Sequence, residues 1–142
     1  MKQIKVQQRF ELKERYSFEA LLVEATINIR KKDIISLNET LDINEYLNAK
    51  PGYNYLVYVQ GNSMIDENIF DGDILVVERS QNASNEDIVI ASIDGELTVK
   101  KLFIDNDKIY LLSANKQFYP IEILNYNDFR IQGIVKYVIK NI

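Results

Sequence analysis

The sequence predicts a mostly β domain, a small coiled antiparallel sheet or partly open barrel with a short N-terminal arm. Three observations carry that expectation. Short runs rich in β-branched and aromatic residues recur from residue 54 to residue 140. The intervals between them are short and hold turn formers such as Asp94-Gly95. No long helical periodicity separates the runs, which excludes a doubly wound parallel sheet.

Residues 1–16 are polar and alternate weakly, with Ile4, Val6 and Phe10 apolar, and read as an arm or edge strand. Phe18, Leu21, Leu22 and Ala25 fall at i, i+3, i+4 and i+7, so a short helix is expected over 16–26. Residues 26–40 mix β-prone and turn-forming residues and suit an extended connector. The arm and connector therefore occupy 1–39, and the β domain 40–142. Asp42 and Glu45 mark a helix start, because one side chain can accept an orphan amide and the other can reach back. Pro51-Gly52 ends that element.

Strands are expected at 54–60 (NYLVYVQ), 74–78 (ILVVE), 87–92, 96–103, 108–113 and 130–140. Between the first two, Met64, Ile65, Ile69 and Phe70 suggest one helical turn, with Met64 and Phe70 as core plugs. Asp94-Gly95 suits a two-residue type I′ hairpin, and Asp105-Asn106-Asp107 a second hairpin. Gly133, inside the last strand, marks a place for a bulge.

Composition bounds the function. The chain has 142 residues, 46% apolar and 27% charged, enough for one folded domain with a core. A net charge of −4 argues against direct DNA binding through phosphate neutralisation and favours protein partners. With neither cysteine nor histidine, the chain offers no thiolate nucleophile, no disulfide, and neither the commonest base nor the commonest metal ligands. No cofactor or metal is expected, and Asp71 and Asp73, spaced i, i+2 around Gly72, more simply order a turn. No run approaches the length of a membrane span and the N-terminus lacks a signal-peptide core, so the expected location is the cytoplasm.

Ser63 sits in a Gly61-Asn62-Ser63-Met64 turn after an apolar strand, and Lys100 returns 37 residues later on another strand. The alternation in ELTVKKLF puts Thr98, Lys100 and Leu102 on one face and Leu97, Val99 and Lys101 on the other. One lysine can thus be buried without its neighbour. A serine hydroxyl is a weak nucleophile alone, and a desolvated lysine can hold a neutral amine that takes its proton. From the residues alone, a turn serine and a solvated lysine remain the alternative.

The strings GNSM (61–64), DGDILVV (71–77), EDIVIA (86–91), GELTVKKL (95–102) and IQGIV (131–135) together resemble the self-cleaving regulatory peptidases of the bacterial damage response. These are the LexA-type domains, related in their catalytic core to signal peptidases, and the chain looks most like the UmuD mutagenesis proteins. The resemblance covers residues 40–142. It implies that Ser63 is the nucleophile and Lys100, not Lys101, the general base, with backbone amides of Ser63 and Met64 stabilising the oxyanion. It also implies a homodimer that meets a RecA-DNA filament and a Y-family polymerase subunit. A LexA-type repressor needs a helix-turn-helix domain longer than the stretch before residue 40, so the UmuD type is expected. A signal peptidase is not, because it acts at the membrane.

The sequence departs from that family at the bond to be cut. UmuD-like arms carry Cys-Gly or Ala-Gly, whereas this chain has no glycine before Gly52, and the usual interval before Ser63 falls near Ile27-Asn28. A glycine lets a backbone bend close to a nucleophile, which asparagine does less readily. Two functions follow as expectations: a Ser-Lys autopeptidase regulating an error-prone polymerase, or a non-cleaving interaction module that binds a polymerase or a RecA filament.

Overall fold

A computed structural model of the chain describes residues 5–11, 17–19, 40–50 and 52–142. Its described elements are β1 (Lys5–Glu11), β2 (Ser17–Glu19), β3 (Thr40–Asp42), α1 (Ile43–Tyr46), β4 (Asn54–Gln60), a 3₁₀ turn (Ile65–Glu67), β5 (Ile74–Glu78), β6 (Ile88–Ile93), β7 (Glu96–Asp105), β8 (Lys108–Leu112), β9 (Ile121–Glu122) and β10 (Phe129–Ile139). The fold is mostly β, as expected. An eight-stranded sheet runs in the order β1-β4-β5-β10-β6-β7-β8-β9, and every pairing in it is antiparallel. The sheet coils until β1 meets β7 at one residue pair, Lys5 with Thr98, and is not a closed barrel.

Alternation explains the core. In β4, Tyr55, Val57 and Val59 point inward beside Leu75 and Val77 of β5 and Val99 of β7, while Tyr58 and Gln60 face out. A second cluster, Val89, Ala91, Leu102 and Leu111, fills the space between β6, β7 and β8. Asp94 and Gly95 both take positive φ (49° and 88°), as a type I′ hairpin between β6 and β7 requires.

Gly133 lies where the β10 register against β6 slips, between Ile131 and Gly133. A Cβ there would stand 2.4 Å from Val77 Cγ1 and 2.9 Å from the Glu78 carbonyl oxygen, so only glycine lets β10 cross β5 this closely.

Two expectations need amendment, and one strand was not expected. Ser17–Glu19 is extended and paired with Thr40–Asp42, not helical, because ladder hydrogen bonds to β3 satisfy its backbone; Leu21, Leu22 and Ala25 of the expected helix lie outside the described residues, as do most of the 26–40 connector, Ile27-Asn28 and Pro51. Phe70 is exposed, not a core plug, and its ring lies 4.7 Å from Lys140 Nζ, while Met64 is fully buried as expected. The two-residue strand β9 had no sequence expectation.

Candidate active site

The chain reaches the site twice. It leaves β4 at Gln60 and turns through Gly61, whose φ of 99° a side chain would resist, so that Ser63 and Met64 drop into the core. It returns along β7, where period-two alternation brings Thr98 and Lys100 to the same face. Ser63 and Lys100 are both fully buried, and Lys100 is among the largest side chains wholly withdrawn from solvent.

Lys100 Nζ donates to Ser63 Oγ at 3.2 Å, to Thr98 Oγ1 at 3.1 Å and to the Val99 carbonyl at 3.3 Å. Burial disfavours the ammonium and lowers the Lys100 pKa from 10.5 to about 8. A neutral amine keeps two N–H donors and one lone pair. The Val99 carbonyl can only accept, so one N–H goes there. With the other on Thr98 Oγ1, the lone pair is left for the Ser63 hydroxyl proton.

The turn is held from outside the dyad. Asp71 Oδ1 accepts from Gly61 N–H at 2.8 Å, and Asp73 Oδ2 accepts from Phe70 N–H at 2.8 Å and from the Lys140 ammonium. Gly72, with φ of 89°, donates its N–H to the Val59 carbonyl at 2.9 Å. Asp71 and Asp73 thus act locally on the turn. Lys101, on the opposite side of β7 from Lys100, pairs with Glu67 of the 3₁₀ turn and ties that segment to the same strand.

From the far side, Asn115 Nδ2 donates to the Asn62 carbonyl at 2.9 Å, and Ala114 N–H contacts Met64 Sδ at 3.3 Å. Because the Asn62-Ser63 peptide is planar and trans, fixing its carbonyl sends the Ser63 N–H to the opposite side. An open groove of about 390 Å³, lined by Ile93, Asp94, Glu96, Thr98 and Ile121, runs up to the Thr98 side of the site.

The structure therefore brings Ser63, Lys100 and the Gly61, Asp71, Gly72 and Asp73 turn together, and leaves Lys101 elsewhere. Sequence reasoning assigned no part to Thr98 or Asn115. The strand alternation already placed Thr98 beside Lys100. Nothing local signals Asn115, which reaches the turn across 53 residues of chain.

The profile of the Peptidase S24-like family matches residues 19–136. The LexA repressor of Stenotrophomonas maltophilia (strain R551-3) is 51% identical over 84 residues, covering 59% of this chain and 40% of that protein. The LexA repressor of Xylella fastidiosa (strain M23) gives the same figures, and LexA repressor 2 of Xanthomonas axonopodis pv. citri (strain 306) is 49% identical over 84 residues. The match thus spans about 40% of the length of these curated relatives.

Proposed function

Because the chain belongs to the Peptidase S24-like family, we propose that it is a serine-lysine peptidase that cuts a bond of its own polypeptide and so regulates the DNA-damage response. The finer reading is a UmuD-like mutagenesis protein controlling an error-prone translesion polymerase. One observation carries the proposal: Lys100 Nζ and Ser63 Oγ stand 3.2 Å apart, both buried, in a chain with no histidine or cysteine.

In this reading the neutral Lys100 amine takes the Ser63 proton as Oγ adds to the carbonyl carbon of the scissile bond. The Ser63 and Met64 amides stabilise the oxyanion. Collapse breaks the C–N bond, and the Lys100 ammonium returns its proton to the departing amine. Water then adds to the acyl-serine with Lys100 again as base, releasing the acid and restoring Ser63. Thr98 keeps the Lys100 lone pair on line. The partners that fit are a second copy of the chain, a RecA-DNA filament and a Y-family polymerase subunit, in the cytoplasm; the net charge of −4 gives duplex DNA little to hold.

A second reading has one observation in its favour. The glycines are Gly52, Gly61, Gly72, Gly95 and Gly133, so no Ala-Gly or Cys-Gly precedes the site. The protein would then be an interaction module that binds the same partners without cutting.

Incubation at about pH 10, where lysine loses its proton, followed by intact-mass measurement separates the two. We expect a fragment to accumulate from the wild type and not from Ser63→Ala. A wild type that stays whole alongside Ser63→Ala ends the self-cleavage reading and leaves the module.

A further inference from the structure

The turn carrying Ser63 is tied at several backbone atoms. Gly61 N–H reaches Asp71 Oδ1 at 2.8 Å, the Asn62 carbonyl accepts from Asn115 Nδ2 at 2.9 Å, and Asp66 N–H reaches the Ala114 carbonyl at 2.7 Å. Against that background Asn62 Oδ1 is buried and has no hydrogen-bond partner. The other such side-chain atom among the described residues is Ser113 Oγ. Ser113 directly precedes Ala114 and Asn115, which hold this same turn.

An acceptor withdrawn from water without a partner costs about 1–3 kcal/mol, and the great majority of buried polar groups avoid it. The turn is not loose, so slack does not explain the orphan. An apolar residue of the same shape would remove the cost, which makes an asparagine here a group kept for a partner that arrives with a ligand. Oδ1 can only accept, so the ligand brings a donor. An extended polypeptide brings one backbone N–H per residue, about every 3.3 Å. With its scissile carbonyl at Ser63, a flanking N–H comes within reach of the adjacent side chain.

We infer that Asn62 Oδ1 is a substrate-contacting group that accepts a hydrogen bond from a backbone N–H of the peptide strand lying across Ser63. The inference rests on the peptide-cleaving reading above. The contact is blind to side chains and gives affinity without demanding a glycine, while a proline at the contacting position, which has no N–H, is refused.

The test is made on Ser63→Ala, so that turnover cannot consume the ligand, with a synthetic peptide of residues 20–35 of this chain titrated calorimetrically. Adding Asn62→Leu, which keeps the volume and removes the acceptor, is expected to weaken binding about five- to tenfold while Tm stays level or rises. Peptides N-methylated at successive positions complete a double-mutant cycle. One of them should lose affinity for the Asn62 protein and be indifferent to Asn62→Leu. A fall in Tm with unchanged affinity, no N-methyl position that couples to Asn62, or no binding of the peptide overturns the inference. Labelling of Ser63 in the otherwise wild-type chain by diisopropyl fluorophosphate reads the nucleophile separately. Labelling without coupling keeps the dyad and removes the Asn62 contact; coupling without labelling keeps the contact and removes the nucleophile.

Discussion

An ammonium at position 100 has no water to solvate it, and its three partners are a carbonyl and two hydroxyls with no carboxylate among them. Desolvation therefore outweighs hydrogen bonding, and the pKa falls to about 8. Two outcomes follow at this scale. Self-cleavage needs the neutral amine, so its rate should rise with pH through a midpoint near 8 and level off above it, measured by intact mass across a pH series; a midpoint above 10 would contradict the desolvated base. The second concerns stability. The folded pKa lies below the unfolded value of 10.5, so the unfolded chain binds more protons between about pH 8 and 10.5, and stability rises with pH across that window. Below pH 8 the full penalty applies, on the order of 3 kcal/mol from about 1.4 kcal/mol per unit. Lys100→Met, similar in size and uncharged, should abolish cleavage yet raise Tm at neutral pH, with the gain shrinking toward pH 10.5. A variant less stable than wild type at pH 7 would show that the three hydrogen bonds outweigh the buried charge.

Elements follow period-two alternation wherever a strand has one wet and one dry face. Dense β-branched and aromatic runs bounded by turn formers are why β4 and β5 fall at the expected 54–60 and 74–78 and β10 lies within one residue of its expected span. The same alternation separated Lys100 from Lys101, and the candidate site was legible to that extent. What was not legible depends on closure of the sheet: a two-residue β9 has no period to read, and Phe70 looks like core in a string but is exposed and meets Lys140, just past the end of β10. Asn115 reaches the Ser63 turn only once β8 has been laid against β7. Gly133 is the case where a sequence signal and its physical cause coincide, since the bulge expected there is forced by the approach of Val77, the Tyr55 hydroxyl and the Glu78 carbonyl. Gly133→Ala should cost about 1–3 kcal/mol through overpacking. Urea denaturation checks it, and a variant within experimental error of wild type would mean that β10 shifts freely. Because Tyr55 Oη donates to the Gln132 carbonyl at 3.1 Å, Tyr55→Phe in the Gly133→Ala background should cost less than Tyr55→Phe alone.

At the level of the whole molecule, β1 determines how far the sheet is closed. Without it, β4 would carry an unpaired edge from Tyr55 to Gln60, the stretch that leads into the Ser63 turn. With it, six register pairs cover that edge and Lys5 bridges onward to Thr98 of β7, two residues from Lys100. A bare edge of six residues is a template for another strand, and opening the β1–β7 contact lets water approach the Lys100 face. Deleting residues 1–11 should therefore do three linked things. Tm should fall, by roughly 2–4 °C for each kcal/mol lost in a domain near this size. The protein should associate in a concentration-dependent way as β4 edges pair, seen by light scattering. The pH midpoint of cleavage should move up from about 8 toward the ordinary lysine value as hydration returns to the ammonium. The three readouts separate the roles of the strand: a lower Tm with an unchanged midpoint makes β1 an edge cover only, whereas an unchanged Tm and mass would show that β4 needs no partner at all.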